Sequence, residues 1–299
     1  MAAAAPVTTR IAINNILLAT DFSEVSKVAL AYACNLARSY GSKIFVVHIV
    51  PPEPYLAVPL EPIPIDLDLF WNREKQSMTE FVAAKALEEI PHEDILQRGE
   101  LWEVISHIIE DRRIDLIVAG THGRKGLKKV VLGSVAEKIY RQAKCPVLTL
   151  RPEFADRSRT PWQMKQILFA TDFSETSLHA LPYALSLAEE QQATLIFLNV
   201  APLVPYQYKQ AIIDATCRRL QALMPPNPWC TPDFVVCFDF SAEGILRIAR
   251  EREVDLIVLG VNRRAAIGLS SHLPWSTASE VVSNAPCPVL TVRGYDRRI

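Results

Sequence analysis

The sequence has few of the features that mark membrane proteins, metal-binding proteins and disulfide-stabilised proteins. Its longest apolar runs, such as "IFVVHIV", fall far short of the roughly 20 residues that a membrane helix needs. The N-terminal "MAAAAPVTTR" has no charged n-region and too short an apolar run for a signal peptide. The six cysteines form no CxxC pair and no metal-ligand spacing. We therefore expect a cytoplasmic protein with reduced, mostly buried thiols, no metal site and no membrane segment.

The charge balance excludes two further classes of protein. The chain of 299 residues carries 32 Lys and Arg against 33 Asp and Glu, for a net charge of −1. There is no basic excess, as a general nucleic-acid binder would show, and no acidic block typical of a disordered tail. Apolar residues make up 49% of the chain, enough to fill the cores of one large or two ordinary domains.

What the sequence does contain is an internal repeat. "NNILLATDFSE" returns as "KQILFATDFSE", "RRIDLIVAG" returns as "REVDLIVLG", and "KCPVLTLR" returns as "PCPVLTVR", in the same order. This pattern indicates a tandem duplication. The polar segment "PEFADRSRTPWQM" separates the copies, so we predict domains at residues 1–151 and 165–299 with a linker at 152–164.

Each copy alternates short apolar runs with helical patterns. In the first copy, "NILLAT" and "KIFVVHIV" are predicted strands, and the helical pattern between them ends at Gly41. A helix is predicted near residues 66–89 and a weak strand near 95–98. Strand runs that are apolar on both faces and alternate with helices are typical of a parallel sheet covered on both sides. The sequence therefore predicts an α/β fold of two tandem, doubly wound, Rossmann-like domains, with ligands at the carboxyl ends of the strands.

One such strand end carries the glycine-containing stretch "GTHGRKGLKKVVLGS", residues 120–134. Glycines let backbone N–H groups approach a phosphate, and the helix predicted to begin at Ser134 offers unpaired N–H groups to an anion. The loop also carries four cations that could attract a polyanion: Arg124, Lys125, Lys128 and Lys129. The alternative is a flexible strand-to-helix connection with an ordinary Ser cap.

Taken together, the "ATDFS" opening, the G-x2-G-x9-G-S stretch and the closing "CPVL" strand resemble the universal stress protein family. The resemblance covers both copies. It implies five-stranded α/β domains and, by likeness to the nucleotide-binding branch of the family, a site for ATP, with or without Mg²⁺.

The resemblance also implies which residues of the first copy contact ATP. The phosphate and ribose side would comprise Gly120, His122, Gly123, Gly133, Ser134 and Val135. The adenosine side would comprise Ala19, Thr20, Asp21 and Ile49, and Ala119 would be a further residue of the ATP site.

Two of these residues have alternative interpretations. Asp21 could accept hydrogen bonds from ribose or base donors, or it could cap the first helix, and both roles are compatible. His122 could act as an acid or base, or its ring could only flank the ribose. The sequence shows no partner that would orient the His122 imidazole, so we assign no catalytic residue.

The second copy departs from the glycine pattern. Trp275 stands at the position of Gly133, Arg263 stands at the position of Gly123, and the loop is two residues longer. A bulky indole and a long cation would occupy the space for the phosphates, so we expect weak or no ATP binding there. The alternative is that Arg263 and Arg264 bind a different anion. Asp172 is retained, although a lone Asp at a strand end is also an ordinary helix cap.

These features favour an ATP-binding stress-response or signalling module, with the second domain as a degenerate structural or regulatory partner. The resemblance also implies that the last strand of each domain is a sheet edge that pairs with a second copy. An unpaired apolar edge tends to be covered, so the two edges could pair within the chain or between two chains in a homodimer. One alternative is a slow ATPase or nucleotidyl-transfer enzyme, although the sequence shows no nucleophile–base set and no paired metal carboxylates. Another is a structural protein without a ligand.

Overall fold

The computed structural model describes residues 11–52, 67–121, 134–154, 162–225, 232–261 and 277–293. The chain divides into two compact units. The first domain extends from Ile13 to Trp162, and the second comprises the described residues from Gln163 onward together with Ile11 and Ala12.

The first domain is a parallel sheet with helices between the strands. Its strands are β1 (Asn15–Ala19), β2 (Lys43–Val50), β3 (His92–Arg98), β4 (Leu116–Gly120) and β5 (Val147–Leu150). Its helices are α1 (Glu24–Tyr40), α2 (Leu67–Val82), α3 (Leu101–Asp111) and α4 (Ser134–Gln142). The strand order is β3-β2-β1-β4-β5. Successive residues of β1, β2 and β4 are buried, so both faces of the sheet are covered.

The second domain repeats this topology. Its strands are β6 (Gln166–Ala170), β7 (Thr194–Ala201), β8 (Pro232–Phe238), β9 (Leu256–Val261) and β10 (Val289–Arg293). Its helices are α5 (Glu175–Leu178), α6 (Leu181–Gln191), α7 (Tyr206–Gln221), α8 (Ser241–Glu251) and α9 (Thr277–Asn284). The order β10-β9-β6-β7-β8 is that of the first domain. The doubly wound parallel α/β fold predicted from the sequence is confirmed in both copies.

The ends of α1 follow from its sequence. The side chain of Ser23 accepts a hydrogen bond from the backbone N–H of Ser26 and so caps the first turn. Gly41 ends the helix in the left-handed conformation, with φ of 68°, as the sequence predicts. In the second copy the same segment is broken into α5 and α6. Pro182 lies in the first turn of α6 and has no N–H to donate to the Leu178 carbonyl, so the helix cannot run through.

The helix α2 is shorter than predicted. It ends at Val82, whereas the sequence pattern extends to about residue 89. A 3-10 turn follows, in which Leu87 N–H donates to the Ala84 carbonyl and Ile90 N–H donates to the Leu87 carbonyl. This turn buries Leu87 and Ile90. Their spacing also fits the apolar pattern of a helix, and the predicted helix was therefore too long. None of the helices within the described ranges has the length and apolar character that a membrane crossing requires.

The repeated "DLIV" motif has a structural role in both domains. Asp115 precedes β4, and its Oδ2 accepts hydrogen bonds from the backbone N–H groups of Asn14 (2.8 Å) and Asn15 (3.0 Å). Asp255 does the same before β9, for Lys165 (2.8 Å) and Gln166 (3.0 Å). Each carboxylate satisfies two donors at the start of the first strand of its domain, so the repeat of this Asp is explained by folding alone.

Candidate functional site

The strand order of the first domain creates a topological switch point between β1 and β4. From β1 the chain adds β2 and β3 on one side, and then β4 and β5 on the other. Ala19 pairs with Val47 of β2 and with Ala119 of β4, so β1 and β4 end within one residue of each other, whereas β2 continues to Val50. Ligands of open α/β sheets bind in the crevice at such a point.

Three of the residues predicted to contact ATP share one face of the sheet at this edge. Ala19 and Ile49 are partly buried and pack against the core cluster under α3 and α4, and Ala119 is a member of that cluster with 2% of its surface exposed. Since Ile49 lies two residues beyond Val47, it extends the same face toward the strand end. The structure thus brings together a small apolar surface beside the switch point.

Thr20 and Asp21 form the turn between β1 and α1. Thr20 N–H donates to the Val47 carbonyl at 2.9 Å, and its Oγ1 accepts from Phe22 N–H at 3.0 Å. Asp21 Oδ1 accepts from Ser26 Oγ at 2.8 Å and from Ser23 N–H at 3.1 Å. Asp21 therefore stabilises the turn before α1, at the edge where a ligand would lie, whereas the N-cap of the helix is Ser23.

Gly120 ends β4 where the first turn of α1 crosses it. A Cβ atom at this position would fall well inside van der Waals contact with Cγ1 of Val25. In the second domain, a Cβ at Gly260 would overlap the backbone of Thr176 and Ser177 in α5. The close approach of the first helix explains this glycine in both copies, so its presence does not in itself indicate a phosphate.

The other predicted phosphate-side residues are described only in part. His122, Gly123 and Gly133 lie outside the described residues, as do Arg263 and Trp275 of the second copy. Ser134 is the first residue of α4. Val135 follows it with 47% of its surface exposed.

The structure adds two residues that the sequence analysis missed, His48 and Glu74. His48 Nδ1 lies 2.7 Å from the Thr20 carbonyl oxygen, and His48 Nε2 lies 3.0 Å from Glu74 Oε2 of α2. Both residues are buried, with 8% of His48 and 3% of Glu74 exposed. The ring of Phe22 packs against the imidazole with centroids 4.4 Å apart. The signal for His48 was a polar residue inside the apolar run "IFVVHIV".

The corresponding turn of the second domain keeps the backbone and the "TDFS" sequence, and a different side chain donates to it. Phe173 has φ of 63°, as Phe22 has 64°. Asn199 Nδ2 donates to the Thr171 carbonyl at 2.8 Å, in the place of the His48 contact. Burial raises the pKa of Asp172, but hydrogen bonds from the Ser174 hydroxyl and N–H outweigh it and hold the pKa below its usual value.

Two of the described cysteines, Cys34 and Cys145, do not have activated thiols. Burial raises the pKa of Cys34 to about 11 and that of Cys145 to about 12, so both thiols stay protonated at neutral pH. Within the described ranges, no cluster of three or more His, Cys, Asp or Glu side chains could hold a metal ion.

Comparison with known proteins assigns both halves of the chain to the same family. The pattern of the "Universal stress protein family" matches residues 12–151 and 164–293. The chain is 32% identical over 141 residues to universal stress protein MJ0531 of Methanocaldococcus jannaschii, covering 46% of this chain and 82% of that protein. It is 36% identical over 140 residues to a universal stress protein of Thermus aquaticus, covering 46% of this chain and 98% of that protein.

A solved structure extends the likeness to nearly the whole chain. The crystal structure of a universal stress protein from Archaeoglobus fulgidus aligns with a TM-score of 0.71 and 21% sequence identity. The alignment covers 95% of this chain and 99% of that one. At this identity the likeness supports the fold and says nothing of ligands.

Proposed function

The chain belongs to the universal stress protein family, and from this premise we propose that its first domain binds ATP and acts as a nucleotide-dependent stress-response or signalling module. The observation that carries the proposal is the partly exposed apolar surface of Ala19 and Ile49, packed on the cluster that contains Ala119, beside the switch point between β1 and β4. A flat purine ring suits such a surface, and a carboxylate, Asp21, lies at the end of the central strand.

In this proposal each end of the site has a separate task. The apolar surface holds the adenine, and Asp21 accepts a hydrogen bond from the ribose or base. The phosphates lie toward the N-terminus of α4, a helix of nine residues that begins at Ser134 and whose first N–H groups favour an anion. His122, Gly123 and Gly133 complete the phosphate side as sequence-based expectations. ATP, with or without Mg²⁺, is the ligand that this division of apolar and anion-binding ends fits best.

We assign the second domain a structural or regulatory role. Its sequence places Arg263 and Trp275 where the first copy has glycines, which disfavours phosphate binding. We also propose that residues 152–164 link the two domains and that the domains pair through their last strands. An unpaired apolar strand edge promotes association, which supports this pairing.

The test compares matched substitutions in the two domains. Ile49 and Val200 occupy the same position of the repeat, immediately after His48 and Asn199. We expect Ile49→Asn to weaken ATP binding at least about tenfold, a loss of about 1.4 kcal/mol, because a polar side chain replaces apolar contact with the base. Val200→Asn should leave the affinity unchanged. Isothermal calorimetry of the full chain, with extraction and assay of co-purified nucleotide, measures both.

The same preparation distinguishes binding from turnover. The protein is incubated with Mg-ATP and released phosphate is followed. Our proposal expects release no faster than background. Sustained release that is lost on substitution of His122 or Gly133 would instead indicate an ATPase, and the absence of any ATP binding would contradict the proposal altogether.

A further inference from the structure

We propose that His48 is a positioning residue for the ATP-binding edge. Its Nδ1–H holds the Thr20 carbonyl and so orients the turn that carries Asp21, while Glu74 contacts Nε2 on the other side of the ring. The inference rests on the proposed function, because the orientation of Asp21 matters to ATP only if ATP binds there.

The partner of Nδ1 fixes the tautomer. A backbone carbonyl oxygen only accepts hydrogen bonds, so the Nδ1 atom 2.7 Å from the Thr20 carbonyl must carry a proton. On the other side of the ring, Nε2 lies 3.0 Å from Glu74 Oε2 of α2. Contacts at both nitrogens hold the plane of the imidazole, so that Nδ1 points at the Thr20 carbonyl.

The pair is buried where a charge has little solvent to stabilise it. Glu74 is the only Asp, Glu, Lys or Arg among the buried side chains in the part of the chain that the structure describes. Buried ionic pairs are often no more stabilising than apolar residues of similar volume. A gain in core stability therefore does not by itself account for this pair, and the explanation that we propose is a directional role of the imidazole.

The hydrogen bond reaches Asp21 through one peptide group. The Thr20 carbonyl belongs to the same peptide plane as the Asp21 N–H, which donates to Ser26 Oγ at 3.2 Å. Ser26 Oγ in turn donates to Asp21 Oδ1 at 2.8 Å. Rotation of this plane would move both the backbone and the carboxylate of Asp21.

The second domain contains the same bond with a different donor. Asn199 Nδ2 donates to the Thr171 carbonyl at 2.8 Å. An amide NH₂ group donates in every protonation state. In both domains an N–H donor therefore occupies this position, a ring N–H of His48 in the first and the amide of Asn199 in the second.

This comparison provides a matched pair of variants. Both variants carry Glu74→Met, which removes the buried carboxyl. One variant also carries His48→Asn, which copies the donor of the second domain. The other also carries His48→Leu, whose new side chain has no donor. We expect H48N/E74M to retain ATP affinity within about twofold of the natural chain, and H48L/E74M to bind about tenfold more weakly, the loss expected for one buried hydrogen bond. Asn199→Leu, in the second domain, should not change the affinity. Calorimetry with ATP measures all four proteins.

Two further measurements keep the test decisive. Nitrogen-15 NMR of the His48 imidazole should show a protonated Nδ1, and an unprotonated Nδ1 would overturn the proposal. Hydrogen exchange of the Asp21, Phe22 and Ser26 amides should be accelerated in H48L/E74M and not in H48N/E74M. Equal affinities and equal exchange in the two double variants would also overturn it. If the natural chain binds no ATP, the proposed function fails, and the exchange rates alone then decide whether His48 orients the turn.

Discussion

At the scale of single residues, Gly120 shows how a motif position can carry two explanations. The sequence places it at the start of a glycine-containing anion loop, and the structure shows that α1 packs too closely for a Cβ. The same close approach at Gly260, in the copy with the altered loop, shows that packing is the requirement both copies share.

We therefore predict that Gly120→Ala destabilises the first domain by about 1–3 kcal/mol, the usual cost of overpacking. The added methyl would collide with Cγ1 of Val25, so Val25→Ala in the same chain should recover part of the loss. Urea unfolding of the natural chain and of the two variants measures the change in the free energy of unfolding.

Gly260→Ala is the matched control for this prediction. Its methyl would meet the Thr176 carbonyl oxygen, a backbone atom that no side-chain substitution removes. A second substitution at Thr176 should therefore not restore stability. If Val25→Ala gives no recovery in the first domain, the steric explanation of Gly120 is wrong.

The position of the candidate site at the strand ends was predictable from the alternation of strands and helices. The choice of Ala19, Ile49 and Ala119 came from the family resemblance, because strands that are apolar on both faces give no periodicity that assigns a face. The strand register places the three residues on one face. The sequence analysis did not identify His48, because its contacts depend on which helix packs against the opposite face of β2. The pairing of His48 with Glu74 spans 26 positions and follows from the packing of α2 onto the sheet, for which periodicity alone gives no register.

At the scale of elements, the strands were predicted better than the helix ends. Buried parallel strands are nearly continuous apolar runs, so β1, β2 and β4 are evident from composition. The end of α2 and the break between α5 and α6 depend on a 3-10 turn and on Pro182, which interrupt a helical pattern without removing its apolar spacing.

The strands β2 and β3 and the end of α3 meet at an ion cluster that makes stability depend on pH. Glu93 lies 2.7 Å from Lys43 Nζ and 2.9 Å from the Arg112 guanidinium. The hydrogen bond from Lys43 holds the pKa of Glu93 below its usual value, with the charge of Arg112 acting in the same direction. A carboxyl with a lowered folded-state pKa contributes stability above the unfolded pKa, near 4.3, and loses it as the pH falls through the folded value.

We predict that Glu93→Gln lowers the stability of the first domain at pH 7 by no more than about 1 kcal/mol, because the pair is partly exposed to solvent. The difference between the variant and the natural chain should shrink as the pH falls below about 4.3. Unfolding in urea between neutral and acidic pH measures it. Asp233→Asn, which removes the 3.5 Å contact with Arg252 in the second domain, should leave the pH dependence of the first domain unchanged. A difference that grows on acidification would contradict the assignment.

At the scale of the whole molecule, the two copies keep the scaffold and differ in the site. Each has the same strand order, the same Asp clamp before its fourth strand, and the same positive φ in the turn after its first strand. The differences lie in three features. They are the side chain that donates to this turn, the sequence of the helix after the second strand, and the loop sequence after the fourth strand. Selection for folding alone would preserve the first set of features in both copies, and a ligand in one copy would account for the second set.

This divergence predicts one ATP per chain rather than two. In the first domain a Gly-rich loop sequence follows β4, whereas Arg263 and Trp275 interrupt that pattern after β9 and would occupy the space that phosphates need. Titration of the full chain with ATP should therefore give a single class of sites, which Ile49→Asn weakens and Val200→Asn does not. Two equivalent sites, or one site that responds only to Val200→Asn, would show that the conserved turn is sufficient for binding and that the altered loop sequence is not a barrier to it.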